Sequence, residues 1–197
     1  MRNVIITGGN SGLGFETAKK IAKNKEYRVI LACRYLKKAE EAVRKIKDAT
    51  GNDNILSIRL DTASLTSVRE FAADYENRKL GRIYALLLNA GINGMYTGMT
   101  EDGMEIVFQT NHLGHFLLAN LLLPYMEPDG KVFATSSDMH DSPMGKMVWP
   151  GTEMLAHPSE DGKASRLRYS FSKLCNLYFV YELTRRLEAE GGGIRVN

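Results

Sequence analysis

Short apolar runs alternate with segments of helical periodicity along most of the chain. The apolar runs predict strands at residues 3–7, 27–32, 54–60, 83–88 and 131–135, and the beginning of another at Ile194. The periodic segments predict helices at residues 12–25, 36–50, 64–79, 103–126 and 165–190. Strands joined through helices run parallel and are buried on both faces. The alternation therefore predicts a doubly wound α/β fold with three layers, α/β/α.

Local signals indicate where some of these elements end. Ser64 is typical of a helix N-cap, and Gly51 and Gly191 are typical of helix ends. Residues 138–168 form a long connection that holds three of the five prolines, four of the nine methionines and the one tryptophan. Its apolar residues either form an adaptable wall for a bulky substrate or pack as an ordinary loop. This apolar set is Met139, Met144, Met147, Trp149, Met154 and Leu155.

A glycine-rich turn, TGGNSGLG at residues 7–14, follows the first predicted strand. Gly8 allows a sharp turn, Gly12 allows the backbone to approach a pyrophosphate, and Gly14 allows the helix to pack closely on the sheet. Free amides at the start of the helix then bind the anion. No lysine follows Gly14, which disfavours a P-loop, and the context favours a dinucleotide site over an ordinary strand-to-helix turn. The candidate cofactor-binding residues here are Gly8, Asn10, Ser11, Gly12, Leu13 and Gly14.

Polar and small residues also follow the later predicted strands. They are Asp61 after the third strand, Asn89, Ala90 and Gly91 after the fourth, and Ser136 and Ser137 after the fifth. In a doubly wound sheet of the Rossmann type, the carboxyl ends of the strands lie along one edge, and ligands bind there. We therefore expect these residues to line one crevice with the glycine turn.

The end of the second strand indicates which dinucleotide binds. Where such folds prefer NAD, an acidic residue near this point binds the ribose 2′-hydroxyl, but here the strand ends with the sequence LACR at residues 31–34. Arg34 is a candidate to bind a 2′-phosphate, with Lys37 or Lys38 adding positive potential. NADP is therefore favoured over NAD. The alternative is that Arg34 is a solvated turn residue.

Tyr169 and Lys173 lie four residues apart at the start of a predicted helix, so they project from nearly the same face. Tyr75 and Lys79 have the same spacing but lie away from the ligand edge. A phenol holds its proton too tightly for transfer near neutrality, and an adjacent ammonium stabilises the phenolate. Tyr169 is therefore the candidate acid that donates a proton to a carbonyl oxygen as hydride arrives, with a hydroxyl from Ser137 holding that oxygen.

Composition disfavours several other functions. The net charge of +3 comes from interleaved basic and acidic residues, so no nucleic-acid partner is expected. Cys33 and Cys175 belong to no Cys-x-x-Cys pair, which argues against disulfides and zinc and favours a reducing, cytoplasmic location. His112 and His115 share a helix face without a third ligand, so no metal is expected. No apolar stretch approaches the roughly 20 residues of a membrane span.

Together these residues resemble the short-chain dehydrogenase/reductase family. Its motifs occur in order as TGxxxGxG at residues 7–14, Asp61, NAG at 89–91, Asn111 within NHLG, Ser137, and YxxxK at 169–173. The resemblance implies Tyr169 as the general acid and base and Lys173 as the ribose ligand that tunes it. It also implies Ser137 as the ligand of the substrate oxygen and Asn111 as the anchor of a proton-relay water. If the family motif aligns one residue earlier in this sequence, Ser136 takes the role given to Ser137.

Residues 32–34, 111–116 and 172–176 are similar to one branch of this family, which contains retinol dehydrogenases, the WW-domain oxidoreductase and light-dependent protochlorophyllide reductase. That branch is mostly NADP-dependent, and its members imply a homodimer formed through two long helices. In the photoenzyme a cysteine at the position of Cys175 has a functional role. The simpler expectation for Cys175 is a small buried side chain in a helix interior.

The predicted function is hydride transfer between NADPH and the carbonyl or alcohol of an apolar small molecule. Residues 1–197 are expected to form one NADP-binding domain. Family members usually continue past residues 194–197 into a further strand and a closing helix, so we expect a truncated domain that lacks them. Two alternatives stay open: reduction of a carbon–carbon double bond in a tetrapyrrole, and NADP(H) binding by a regulatory protein without turnover.

Overall fold

The strands of the computed structural model form one parallel sheet. The structure describes residues 1–141, 147–159 and 167–197. The strands are β1 (Arg2–Thr7), β2 (Tyr27–Cys33), β3 (Ile55–Arg59), β4 (Ile83–Leu88), β5 (Met126–Ala134) and β6 (Arg195–Val196). Their order is β3-β2-β1-β4-β5-β6, and all neighbouring pairs are parallel. The strand order reverses between β1 and β4, as in a doubly wound Rossmann sheet, so the predicted fold class is confirmed.

Helices connect these strands. They are α1 (Gly12–Ala22), α2 (Leu36–Thr50), α3 (Leu65–Asn77), α4 (Ile106–Phe108), α5 (Gly114–Leu122), α6 (Thr152–Ala156) and α7 (Arg168–Ala189). A π-helical segment (Gln109–Leu113) joins α4 to α5, and short 3-10 helices occupy Leu123–Tyr125 and Asp138–His140. None of the helices in the described ranges has the length and apolar character that crossing a membrane requires.

Alternate residues of β1 face opposite layers. Ile5 belongs to a buried cluster with residues of α3, α5 and α7, whereas Val4 and Ile6 belong to a cluster with residues of α1 and α2. These three side chains are at most 2% exposed, and burying each stabilises the fold by about 1.5–3 kcal/mol. Because both faces of the sheet are covered, its strands are nearly continuous apolar runs in the sequence.

Several predicted helix boundaries are confirmed. Ser64 caps α3, because its hydroxyl accepts a hydrogen bond from the N–H of Ser67 at 3.1 Å. Gly51 ends α2 in the left-handed conformation, with φ of 62°. The helix predicted for residues 165–190 begins at Arg168 in the described chain, and its predicted start, Ser165, lies outside the described residues.

The first predicted helix ends earlier than expected, at Ala22 and not at Lys25. The residues that follow are polar and exposed, so continuing the helix would bury no apolar surface. The side chain of Asn24 accepts a hydrogen bond from the N–H of Glu26 at 2.9 Å, which forms a local turn before β2.

The prediction of one helix over residues 103–126 is wrong at both ends. The helical segment begins at Ile106, and it ends as a 3-10 turn that contains Pro124, which cannot donate the next helical hydrogen bond. Met126 instead opens β5, which was predicted only from residue 131 onward. Residues 127–130 are not an apolar run, and the pairing with β4 shifts between Ile83 and Ala85. This part of the strand therefore lacks the apolar pattern by which a strand is predicted.

Candidate functional site

A cleft of about 490 Å³ lies at the carboxyl edge of the sheet. Its walls come from the segments after the first five strands and from the start of α7. The predicted site residues that line it are Gly8, Asn10, Ser11, Leu13, Gly14, Arg34, Asp61, Asn89, Ala90, Gly91, Tyr169 and Lys173. Three other candidates, Gly12, Asn111 and Ser137, do not belong to its described wall. Residues far apart in the chain thus meet at one edge, as the strand order requires.

The turn after β1 needs glycine at defined positions. Gly8 and Gly12 adopt positive φ angles of 66° and 54°, a region that favours glycine. A Cβ on Gly14 would lie 2.5 Å from the carbonyl oxygen of Gly8, so only glycine allows α1 to pack this closely on the turn. A Cβ on Gly12 would meet nothing within 4 Å, so this residue borders open space.

The first turn of α1 begins at Gly12, the residue that borders this open space. Ser11 is the N-cap residue, but within the described chain its side chain makes no capping hydrogen bond, and the first turn of the helix holds no acidic residue. The first N–H groups of a helix lack partners within it and, together with the helix dipole, favour an anion. The residues present therefore fit the pyrophosphate of a dinucleotide.

The hydroxyl of Thr7 holds the segment after β4 in place. Thr7 Oγ1 accepts hydrogen bonds from the N–H groups of Asn89 and Ala90, both at 2.8 Å. The side-chain amide of Asn89 donates to the carbonyl oxygen of Thr7 at 3.0 Å. A Cβ on Gly91 would lie 3.1 Å from Asn111 Oδ1, so glycine allows the π-helical segment to approach here. The predicted Asn-Ala-Gly run is thus positioned by β1 and by the π-helical segment.

Arg34 lies at the rim of the cleft, directly after β2. Its guanidinium carbon is 4.6 Å from the centre of the Tyr35 ring, and its Nε is 4.0 Å from Asp61 Oδ2. The Arg34 side chain is 49% exposed, so its ion pair with Asp61 is screened and weak. An anion at the rim can therefore compete for this guanidinium.

Tyr169 and Lys173 reach the cleft from the first turns of α7. Lys173 Nζ lies 5.5 Å from the centre of the Tyr169 ring, so the structure brings the two residues together as their spacing predicts. Lys173 is buried, and this burial lowers its pKa because a charge is poorly solvated there. A Cβ on Gly94 would lie 3.4 Å from Tyr169 Cβ, so the loop after β4 packs against the tyrosine.

Buried polar contacts fix the start of α7. Arg168 Nη1 lies 3.3 Å from Glu105 Oε1, and both side chains are almost fully buried. One turn beyond Lys173, the side-chain amide of Asn176 donates to the carbonyl oxygens of Thr135 and Asn111, at 3.1 Å and 3.3 Å. These contacts tie the helix that carries Tyr169 to β5 and to the π-helical segment.

Asn111 uses its side chain to hold the loop after β4. Its Oδ1 accepts from the N–H of Ile92 at 2.8 Å, and its Nδ2 donates to the carbonyl oxygen of Ile92 at 2.9 Å. The same amide group lies 3.1 Å from the hydroxyl of Ser172. A π-helical segment is frequent at functional sites because it changes which groups a helix presents. The carbonyl oxygen of Asn111 has partners as well, Asn176 Nδ2 at 3.3 Å and His115 Nδ1 at 3.1 Å. A relay water would have to displace one of these contacts to bind there.

The two serines after β5 have different partners. The hydroxyl of Ser136 donates to the carbonyl oxygen of Lys173 at 2.9 Å. The hydroxyl of Ser137 donates to Asp138 Oδ1 at 3.0 Å and accepts from the N–H of Met139 at 3.2 Å, which caps a 3-10 helix. The hydroxyl of Ser137 would have to leave Asp138 before it could donate to any other acceptor.

Both cysteines are buried thiols. Burial raises the pKa of Cys33 to about 11 and that of Cys175 to about 12. Cys175 packs in an apolar cluster with Phe108 and Phe171. This agrees with the simpler expectation, a small buried side chain in a helix interior.

The described part of the long connection after β5 packs on α7. The Trp149 ring centre lies 6.1 Å from that of Phe171 and 5.9 Å from that of Tyr178, and Leu155 is buried. The described members of the apolar set do not line the cleft, and Met144 lies outside the described residues.

The sequence indicated no role for Thr135, and for His115 it indicated only that no metal is expected. The carbonyl oxygen of Thr135 accepts from Lys173 Nζ at 3.0 Å, and His115 has polar partners on both ring nitrogens. A backbone acceptor leaves no pattern in a sequence. The Thr7 partner of His115 is 108 residues away, so no local signal identifies that contact.

Comparison with known proteins agrees with this geometry. The family model described as short chain dehydrogenase matches residues 2–149. The chain is 40% identical over 196 residues to the WW domain-containing oxidoreductase of Gallus gallus, a match that covers 95% of this chain and 46% of the relative. It is 37% identical over 198 residues to retinol dehydrogenase 13 of Homo sapiens, covering 100% of this chain and 57% of the relative. The chain thus spans about half the length of these curated relatives.

Solved structures share the fold. An uncharacterized protein from Mycobacterium paratuberculosis has a TM-score of 0.78 and 38% identity, and the match covers 99% of this chain and 66% of that one. A metagenomic short-chain oxidoreductase in complex with NADP has a TM-score of 0.75 and 21% identity, and the match covers 100% of this chain and 80% of that one. The chain therefore belongs to the short-chain dehydrogenase/reductase family of oxidoreductases, in the branch of the retinol dehydrogenases and the WW domain-containing oxidoreductase.

Proposed function

We propose that this chain transfers a hydride between NADPH and the carbonyl or alcohol carbon of an apolar small molecule. The observation that carries the proposal is that Tyr169 and Lys173 open onto the same cleft as the glycine turn of residues 7–14. The cleft therefore joins an anion site to a candidate acid. The proposal takes residues 1–197 as one NADP-binding domain.

The residues that would hold the dinucleotide come from several segments. The amides at the start of α1, beside Gly12, would bind the pyrophosphate. Asp61 and residues 89–91 line the cleft and would contact the rest of the cofactor. Lys173 would donate a hydrogen bond to its ribose.

Arg34 supports a preference for NADP(H) over NAD(H). It is a half-exposed cation at the end of β2, where a carboxylate would select the 2′-hydroxyl of NAD. A 2′-phosphate would form a charge-assisted pair with this guanidinium in place of the weak contact to Asp61. Lys38 Nζ lies 5.6 Å from the centre of the Tyr35 ring and adds positive charge at the same rim.

The chemical roles fall to Tyr169 and Lys173, which line the cleft, and to Ser137 and Asn111, which are not part of its described wall. When bound, NADPH supplies the hydride that adds to the carbonyl carbon. Tyr169 donates its proton to the carbonyl oxygen, and the ammonium of Lys173 stabilises the phenolate that remains. Ser137 holds the same oxygen once its hydroxyl has left Asp138. Asn111 anchors the loop after β4, and it would anchor the water that returns a proton to Tyr169 once that water displaces Asn176 from its carbonyl oxygen.

An apolar substrate is supported by the relatives and by the loop after β4. The relatives include a human retinol dehydrogenase and a human polyprenol dehydrogenase, and retinol and polyprenols are apolar alcohols. In this chain, Met95 and Tyr96 are 85% and 55% exposed beside Gly94, the residue that packs against Tyr169. Exposed apolar side chains next to the candidate acid favour an apolar reactant.

We also propose a homodimer formed by α5 and α7. Phe116, Tyr178 and Tyr181 on these helices are 46%, 52% and 66% exposed, and aromatic residues are enriched at interfaces. Light scattering at micromolar concentration is expected to give twice the monomer mass, and a monomer would contradict the proposal. The cytoplasmic location expected from the sequence stays a prediction.

Two measurements test the enzymatic function. Titration followed by nicotinamide fluorescence is expected to give tighter binding of NADPH than of NADH, and a panel of aldehydes and ketones of increasing chain length is expected to consume NADPH. Tight binding without consumption of NADPH would favour the regulatory alternative. Turnover that needs both light and a tetrapyrrole would favour double-bond reduction.

A further inference from the structure

His115 contacts both the last residue of β1, Thr7, and the π-helical segment, at Asn111. It lies in α5, is 3% exposed, and has a polar partner on each ring nitrogen. Nδ1 lies 3.1 Å from the carbonyl oxygen of Asn111, and Nε2 lies 2.9 Å from the hydroxyl oxygen of Thr7. A Cβ on the preceding residue, Gly114, would overlap the carbonyl oxygen of Thr62, so glycine allows α5 to lie deep enough for this reach.

The partners of His115 define its tautomer. A carbonyl oxygen only accepts hydrogen bonds, so Nδ1 must carry the proton that it donates to Asn111. Both lone pairs of the Thr7 hydroxyl are used, because that oxygen accepts from the N–H groups of Asn89 and Ala90. The Thr7 oxygen therefore cannot accept from Nε2, so Nε2 is unprotonated. It is also the nearer acceptor for the Thr7 hydroxyl proton, at 2.9 Å against 3.3 Å for the carbonyl oxygen of Leu87. His115 is thus the neutral imidazole with its proton on Nδ1, and burial lowers its pKa to about 4, which agrees with this state.

Each end of His115 bears on a different part of the site. Through Nε2 it orients the Thr7 hydroxyl, whose lone pairs hold Asn89 and Ala90 in the cleft wall. Through Nδ1 it holds the carbonyl of Asn111, whose side chain holds the loop at Ile92. The contact with Thr7 therefore affects residues 89 and 90, which line the proposed cofactor site. The contact with Asn111 affects the loop after β4, which packs against Tyr169 at Gly94.

We propose that His115 is a positioning residue with two separable effects: its Nε2 sets the affinity for NADPH through Thr7, and its Nδ1–H sets the rate of turnover through Asn111. The proposal rests on the function proposed above, because it assumes that NADPH binds in the cleft. It assigns His115 neither metal binding nor contact with the substrate.

Two conservative variants separate the two effects. In His115→Gln, the amide oxygen replaces Nε2 as the acceptor for Thr7, but the Nδ1–H donor is lost. In His115→Asn, the amide N–H replaces the Nδ1–H donor, but the shorter side chain does not reach Thr7. For His115→Gln we expect an unchanged Kd for NADPH and a kcat that falls about tenfold. For His115→Asn we expect a Kd that rises about tenfold and an unchanged kcat at saturating NADPH. His115→Leu is expected to change both quantities.

His157→Leu is the matched control, because His157 is a partly exposed histidine near Glu153, and neither residue belongs to the cleft wall. It is expected to leave both Kd and kcat unchanged. If His115→Leu does not fold, the glutamine and asparagine variants still test whether Kd and kcat change separately. Parallel changes of Kd and kcat in both polar variants, or no change in either, would overturn the proposal.

Nitrogen NMR of the imidazole tests the tautomer without cofactor or substrate. At neutral pH we expect a protonated Nδ1 and an unprotonated Nε2 for His115, and a proton on Nε2 would overturn the proposal. A wild-type chain that binds no NADPH would contradict the proposed function. A wild-type chain that binds and oxidises NADPH while the His115 variants behave like it would contradict only this inference.

Discussion

The buried ammonium of Lys173 donates a hydrogen bond to the carbonyl oxygen of Thr135 at 3.0 Å. Asn176, one turn further along α7, donates to the same oxygen at 3.1 Å. Two donors from one helix thus meet at the end of β5, which orients the helix face that carries Tyr169 toward the cleft. The amide hydrogen bond contributes about 1 kcal/mol and the bond from the charged ammonium about 1.5–3 kcal/mol.

Tyr169→Phe is expected to lower kcat by at least about 100-fold, because the ring remains but the proton donor is lost. The Kd for NADPH is expected to change by less than about threefold, since the phenol contributes little to the ground-state binding of the dinucleotide. Steady-state kinetics and fluorescence titration measure the two quantities. Tyr27→Phe, at the start of β2 and outside the cleft wall, is the matched control. Full activity of Tyr169→Phe is incompatible with its role as the acid.

Arg34→Asp is expected to weaken NADPH binding by about 10- to 100-fold, because a charge-assisted pair with the 2′-phosphate is replaced by repulsion. NADH has no 2′-phosphate, so its Kd should change by less than about threefold. Arg78→Asp provides a control, since Arg78 pairs with Asp74 on α3, outside the cleft wall. Equal losses for the two coenzymes would mean that the 2′-phosphate is recognised elsewhere.

Gly14→Ala is expected to destabilise the protein by about 1–3 kcal/mol, because the new Cβ would lie 2.5 Å from the carbonyl oxygen of Gly8. Gly12→Ala meets no atom within 4 Å and should cost only about 1 kcal/mol for its positive φ. Urea unfolding measures both changes. Both variants are expected to bind NADPH poorly, since Gly12→Ala fills the open space beside the helix amides. A Gly14→Ala protein as stable as wild type would contradict the observed packing.

Stability is expected to fall as pH is lowered, partly through His115. Burial lowers the pKa of His115 from its ordinary value of 6.5 to about 4, so the unfolded chain binds the proton first and stability is lost as pH falls from 6.5 toward 4. Between pH 7 and pH 5 this loss is about 2 kcal/mol. The charges that face His115 come from Lys173 and His112, and burial also lowers the pKa of His112, which adds a loss in the same direction.

Urea unfolding at pH 7 and pH 5 tests this contribution, with His115→Gln as the comparison. The glutamine does not titrate, so the variant should lose about 2 kcal/mol less than wild type over this range. The contribution of His112 is common to both proteins and cancels in the comparison. An equal loss in the two proteins would contradict a neutral, buried His115.

Periodic patterns in the sequence predicted most of the strands and helices. The parts that they did not predict are those where the backbone is irregular. The strand that contains Ile5 and the helix that carries Tyr169 follow from apolar runs and helical spacing, which are properties of neighbouring residues. The early start of β5 at Met126 and the π-helical segment around Asn111 were not predicted. A shifted strand pairing and a π-helical turn change backbone hydrogen bonds while leaving the apolar pattern nearly unchanged.

The amino-acid sequence by itself determined the order of strands and helices, the glycine turn of residues 7–14, and the pairing of Tyr169 with Lys173, because each depends on residues within a few positions of one another. Only the tertiary structure decided which side chains hold these parts together. The contact between Thr7 and His115 joins residues 108 positions apart, and it exists because parallel strands and packed helices bring both to one edge of the sheet.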